Sequence, residues 1–370
     1  MVDNKKKKSK NILPWVLLIV ISIITGVILA IFFPDISLDI GFYDIPLLAI
    51  AFLFSFPLHI ILHEVGHLIG GLLSGYNFIM FRLFNTVWIK TDSGISKRKQ
   101  VVQGIAGQAL MTPPEGVDSP PFLLYHSSGL IMNLLTGILF MIIASIVDNK
   151  TLSLILYAIA VAAILLFITN LVPMKPNDGY NIVEQLKNPE ATEEFTHILK
   201  LYAEMVKGTP FVKLTESIDV ESIESIENPN NVTLLTAKAA AYFEQFDFES
   251  ARYIYAQLWN QRELLLEPHK PEVFQNYLFS LLMTEPEHED VALVKETKVY
   301  KNYSQLKLAD GLKIKATEAL YIDHNVDLAQ DLLIEGRPLI NKAPTIAEEN
   351  LEHRLYDFLE SEIARLSDSN

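Results

Sequence analysis

Residues 59–70 read HIILHEVGHLIG, which sets His63, Glu64 and His67 inside an otherwise apolar run. Ionisable side chains are costly in a hydrocarbon setting and mark functional positions there. On a helix, residues four apart share a face, so His63 and His67 can turn both imidazoles towards one metal ion. Neutral imidazole is a good ligand for zinc. Glu64 lies one position round the helix, where it can reach a water beside the ion without being a ligand. From there it can take a proton and later return one. The plain alternative is a pair of helix histidines bonded to their neighbours. Three polar groups at the end of an apolar span favour the metal reading, because leaving them unpaired would be expensive.

Working outward, residues 45–62 are apolar and run straight into this motif. Further uncharged runs occupy 15–33, 122–147 and 151–174, each long enough to cross a bilayer. The run at 15–33 is longer than the core of a secretory signal and lacks a small-residue cleavage site after it, so it reads as a retained span. Only Asp148-Asn149-Lys150 separates the last two runs, which must form an antiparallel hairpin. Five lysines (Lys5–Lys8 and Lys10) precede the first run, and five basic residues lie in 76–121. The positive-inside rule then puts the N-terminus, the 76–121 loop and the tail in the cytosol, with HEVGH near the cytosolic end of the second span.

The fold expected is therefore mainly α: a polytopic membrane helix bundle of about four spans, a short strand-containing cytosolic loop, and an all-α soluble domain. Residues 1–44 form a basic flank and anchor, 45–180 a membrane core, and 190–370 the soluble domain. Charge divides the same way. Residues 1–180 carry a net +2 and residues 181–370 a net −16, which together make the −14 of the chain. Such an acidic half would repel phosphate, so nucleic acid is not an expected partner. The chain has no cysteine. Disulfides, thiolate ligands and a cysteine nucleophile are excluded, and a tight metal site must draw on His, Asp or Glu. The Lys-, Asn- and Ile-rich, cysteine-free composition suits a bacterial plasma membrane.

Within 76–121, FRLFNTVWIKT alternates like a short strand or hairpin, whereas GIAGQALMTPPEGVDSPP reads as irregular chain near the membrane surface. The loop is either a plain connection or an edge strand on which a substrate docks. In the tail, residues 232–259 look like two antiparallel helices joined at Gln245-Phe246-Asp247. Leu235, Tyr242, Ala251 and Tyr255 fall at tetratricopeptide-like positions there. Residues 311–333 and 343–366 read as further helices. The tail suits a regulatory or adaptor role with a cytosolic protein partner, and its histidines are scattered singly.

Catalytic zinc takes three protein ligands and leaves a place for water. Among the few carboxylates of residues 1–180, Asp178 alone lies just past the cytosolic end of a span, at the depth of HEVGH. Its setting, NLVPMKPNDG at 170–179, holds Pro173 and Pro176, which break the helix, and Gly179, which permits a tight turn. Asp178 is the best third ligand on these grounds.

HEVGH on one span with NLVPMKPNDG two spans later resembles the site-2 protease family of intramembrane zinc metalloproteases. Asn170, Pro173, Asp178 and Gly179 match that family's N-x-x-P…D-G element, and Gly129-Leu-Ile-Met-Asn133 is similar to its G-x-x-x-N element, with Leu130 where proline is usual. The resemblance covers about 45–180. It implies one zinc ion per chain held by His63, His67 and Asp178, Glu64 as general base, and Asn133 and Asn170 as supporting or substrate-binding groups. For the two asparagines, hydrogen bonding between helices is the other reading. The implied activity is that of a metalloendopeptidase acting on transmembrane proteins or signal-peptide-like segments. The chain departs from the family in lacking an evident PDZ-like insertion. The competing classes are a non-proteolytic membrane receptor or immunity-type protein with a vestigial zinc site, and an ion or proton carrier. His59, one turn before His63, and His126, near the end of the third span, are not assigned.

Overall fold

In the computed structural model the described residues are 41–367, apart from 43, 92–93, 100–105, 115–116, 118–119, 176, 217, 220–222 and 224. The expected span at 15–33, its lysine flank and Pro176 lie outside them. The described chain is mainly helical with one small sheet. It divides into two compact units. One joins residues up to Ser74 with Pro121–Pro189, and the other joins Gly75–Pro120 with Glu190 onward. The sequence put 45–180 in a single core, whereas here the 75–120 excursion packs with the tail.

The first unit is built from α1 (Asp44–Leu73), α2 (Phe122–Ile146), α3 (Lys150–Leu171) and α4 (Asp178–Lys187). Helices α1, α2 and α3 are each long and apolar enough to cross a membrane. Their outer faces stay apolar: Leu53, Phe54 and Leu72 on α1, and Leu135, Leu139 and Ile142 on α2, are exposed. Inner faces use small residues, which let backbones approach where burial of oily side chains drives little. Gly66 and Gly70 of α1 meet Ser128 of α2, and a Cβ on Gly66 would sit 2.5 Å from the Ser128 carbonyl oxygen. Ala160, Ala162 and Ala163 of α3 are wholly buried. The α2–α3 hairpin closes as its three-residue link requires. Asn149 caps α3 by accepting from Leu152 N–H at 2.9 Å, and Ser153 Oγ donates to the Ala144 carbonyl at 2.7 Å.

The second unit opens with a four-stranded antiparallel sheet: β1 (Asn77–Leu83), β2 (Thr86–Thr91), β3 (Gly94–Lys99) and β4 (Gly107–Thr112), in the order β3-β2-β1-β4. The alternating stretch supplies β1 and β2, with Phe81 opposite Trp88. The GQALMT segment expected to be irregular is instead β4. Its Ala109, Leu110 and Met111 are buried, and it pairs antiparallel with β1. A buried apolar face fixed that segment against the bias of its glycines and prolines.

The tail is all α: α5 (Pro189–Lys207), α6 (Pro229–Glu244), α7 (Phe248–Asn260), α8 (Lys270–Thr284), α9 (Ala309–Tyr321), α10 (Val326–Gly336) and α11 (Ile346–Ser367), with short helical pieces between them. Helices α6 and α7 join at Gln245–Asp247, as the sequence indicated. Phe246 takes a positive φ of 58° and Asp247 caps α7 through Ser250 N–H. The expected 311–333 helix is two helices, because the chain turns at His324, φ 51°, and Asn325 restarts it by accepting from Leu328 N–H. Phe243, Tyr255 and Phe279 pack ring to ring at 5.5–5.8 Å between centroids. Arg98 of β3 pairs with Glu349 of α11, which ties sheet to tail.

Lys313 is buried to 1 % exposure, pairs with Glu352 and sits 4.5 Å from the Phe279 ring centre. Removing one member of a buried pair leaves an uncompensated charge, whereas replacing both with apolar groups is often neutral. Lys313→Met should therefore destabilise the tail by up to about 3–5 kcal/mol, and Lys313→Met/Glu352→Leu should recover most of the loss. Urea unfolding of the full-length protein, followed by circular dichroism, measures both.

Candidate metal centre

His63 and His67 stand one turn apart on α1, and Asp178 is the first residue of α4. Their ligand atoms converge. His63 Nε2 lies 3.1 Å from His67 Nε2, and Asp178 Oδ2 lies 3.0 Å from the first and 3.3 Å from the second. Zinc binds nitrogen and oxygen at about 2.0–2.2 Å in tetrahedral geometry, so its ligand atoms stand about 3.3–3.5 Å apart. The observed triangle is within a few tenths of an ångström of one such face. Among the described residues this is the one group of three or more His and acidic side chains whose ligand atoms all lie within 4.8 Å of one another.

The far nitrogens of both rings are held so that Nε2 faces the centre. His67 Nδ1 lies 2.8 Å from the Tyr125 carbonyl oxygen, which can only accept, so Nδ1 carries the hydrogen. Asn133 Nδ2 lies 3.2 Å from His63 Nδ1, and the buried Oδ1 of the same amide has no donor. A half-turn of the amide exchanges the two ends. Oδ1 then accepts from His63 Nδ1–H, and both imidazoles present a bare Nε2. Such outer hydrogen bonds orient metal ligands and are worth 10–100-fold in affinity.

Close backbone approach sets the rest. A Cβ on Gly129 would lie 2.5 Å from His67 Nε2 and 2.7 Å from His63 Cε1, so α2 can cover the rings only with glycine at this position. A Cβ on Gly179 would stand 2.8 Å from the Asn170 carbonyl oxygen and against that of Leu171. That contact seats α4 on the end of α3 and carries Asp178 to the histidines. Asn177 fastens the turn. Its Oδ1 accepts from Tyr180 N–H at 2.9 Å to cap α4, and its Nδ2 donates to the carbonyls of Thr169 (2.9 Å) and Val172 (2.5 Å). Burial pushes the Asp178 carboxyl up, but His67 and His63, when they carry the proton that stands between them and Asp178 in place of a metal ion, outweigh it and hold the group below the usual carboxylate range.

The structure thus brings His63, His67, Asp178 and Asn133 together. Glu64 adjoins them on α1, half-buried, close enough for its charge to act on His67. Asn170 is spent locally, its Nδ2 donating to the Leu166 carbonyl one turn back in α3. His126 lies 2.9 Å from Gln185 of α4 and braces that helix, and the buried His59 meets Phe140 edge-on. Neither belongs to the converging group. Sequence reasoning missed Asn177 and the Tyr125 carbonyl. An asparagine directly before a helix is a recognisable cap signal, but a main-chain carbonyl leaves none. Compared with family models, curated proteins and solved structures, the chain matches none at a level that would show a family.

Asp178→Ala should lose most of the bound zinc that elemental analysis finds in the wild type. Asn133→Ala should weaken binding about 10–100-fold in competition with a chelator, while Asn133→Asp, which can still accept from His63, should hold it within about threefold.

Proposed function

We propose that this protein is an intramembrane zinc metalloprotease of the site-2 protease type, hydrolysing peptide bonds in or beside transmembrane segments near the cytosolic face. The observation that carries this reading is the triangle of His63, His67 and Asp178 ligand atoms, 3.0–3.3 Å on a side, with Glu64 next to it on α1. The three apolar helices around the triangle support a bilayer setting. The lysine-rich N-terminus and the basic 76–121 loop favour a bacterial plasma-membrane protein with both termini in the cytosol.

His63, His67 and Asp178 would hold one zinc ion. Bound there, zinc would supply the Lewis acidity that polarises a peptide carbonyl and makes water easier to deprotonate. Glu64 takes the proton as the water oxygen attacks the carbonyl carbon, then returns it to the amine as the C–N bond breaks. Asn133 and the Tyr125 carbonyl keep both imidazoles in the tautomer that leaves Nε2 bare. A membrane-spanning substrate hides its carbonyls in helical hydrogen bonds and must unwind locally before attack. Polar side chains at the end of α1 give water a place to stand at that depth.

Glu64→Ala should cut cleavage of a membrane-anchored reporter by at least about 10²–10⁴-fold while the protein still inserts and binds zinc. Undiminished cleavage would sink the mechanism. Biological activity that survives Glu64→Ala but vanishes on deletion of 190–370 would instead identify a binding protein that acts through its tail.

A further inference from the structure

The sheet presents two faces of opposite character. Met80, Arg82, Val87, Ile89 and Leu110 fall on one face by the strand pairings, and all are buried. Arg98, opposite Val87, shares that face and pairs with Glu349 of the tail. The charge of Glu348 acts on Arg82 there. This face is spent within the fold. The other face follows from the period of two along each strand. Phe81 stands opposite Trp88, Trp88 opposite Lys97, Lys90 opposite Ile95 and Thr86 opposite Lys99. Lys90, Lys97 and Lys99 are exposed, and Ile95 is 68 % exposed. Phe81 and Trp88 are half-buried with ring centres 6.2 Å apart, and Lys97 Nζ stands 5.8 Å from the Trp88 ring centre.

An aromatic pair edged by flexible lysines suits a bilayer surface, where rings settle at headgroup depth and ammonium groups meet lipid phosphates. The chain also keeps the sheet close to such a surface. Only Ser74, Gly75 and Tyr76 separate the apolar helix α1 from β1, a link of at most about 14 Å. Charge points the same way. The acidic residues of 75–120, Asp92, Glu115 and Asp118, all fall outside the four strands, and residues 181–370 carry a net −16. An anionic surface therefore repels the tail and attracts this face. A purely acidic soluble peptide would satisfy the lysines but would leave Ile95 and the rings without an apolar partner.

We propose that the face formed by Phe81, Trp88, Lys90, Ile95, Lys97 and Lys99 rests on the anionic phospholipid headgroups of the membrane in which α1 is embedded. The inference rests on the bilayer setting proposed above and on nothing in the metal centre, so it stands whatever reaction that centre performs.

Because the chain has no cysteine, Ile95→Cys can carry a single nitroxide, with Ile334→Cys, 63 % exposed on α10, as the control position. The full chain is reconstituted into nanodiscs of phosphatidylcholine alone or of equal parts phosphatidylcholine and phosphatidylglycerol. Power saturation then measures how often each label meets a water-soluble nickel chelate. In the mixed discs the label at 95 should meet nickel about threefold or more less often than the label at 334, and in neutral discs the two should be alike. Lys90→Gln/Lys97→Gln/Lys99→Gln should lower docking by about 100-fold and return position 95 to the access of position 334, as should high salt. An equal charge change on exposed tail lysines, Lys207→Gln/Lys298→Gln/Lys301→Gln, should leave the protection in place. An unchanged melting midpoint for the first triple variant separates lost docking from lost folding. Equal nickel access at 95 and 334 in the mixed discs would overturn the proposal. So would equal protection at 95 in both lipids, which needs no charge, or protection that appears only when polyglutamate is added, which would reveal a protein partner. Failure of the bilayer setting shows separately, as chain that elutes apart from the discs, and takes this proposal with it.

Discussion

Asp178 Oδ2 within 3.0–3.3 Å of two imidazole nitrogens is the contact on which the apolar unit depends. Neither α1 nor α4 could hold its part alone. A carboxylate among apolar helices is costly unless opposite charge or hydrogen-bond donors meet it, and two bare nitrogens 3.1 Å apart repel unless something positive lies between them. The three groups are tolerable only together and with a proton or metal ion at their centre. Each neighbouring device can be read as serving that meeting. Gly129 lets α2 lie over the rings, Gly179 and Asn177 deliver α4 to the end of α3, and Tyr125 and Asn133 fix which nitrogen faces inward.

This explains what the sequence did and did not reveal. His63 and His67 were legible because a helix turns i and i+4 to one side, and that relation is local. Asp178 was legible because so few carboxylates occupy the apolar half and only one follows a span at the end expected to be cytosolic. Gly179 could be read as a turn glycine, but its tighter constraint is contact with backbone eight or nine residues earlier, which no turn rule contains. The Tyr125 carbonyl was invisible, since any residue at that position would supply it. Asn170 shows the converse. A motif placed it near the site, yet its amide is used within its own helix.

The sheet and tail show the same limit at larger scale. Alternation marked β1 and β2, because half-buried strands carry a period of two. Strand β4 was hidden, because its neighbours are glycine, proline and acidic residues and its burial comes from pairing with a strand some thirty positions earlier. The break between α9 and α10 was hidden for the opposite reason. Apolar periodicity runs on across 311–333, and a single residue at positive φ ends one helix while an asparagine starts the next.

The two units differ in how their buried polar groups are settled, and that difference bears on what each can bind. In the apolar unit the convergent groups need one small ion, because their lone pairs meet within a space no side chain could enter. In the tail the buried charge of Lys313 is met within the fold, by Glu352. Polar groups buried in water-soluble helical domains usually find partners during folding, since helices can shift by a rotamer or a turn to supply them.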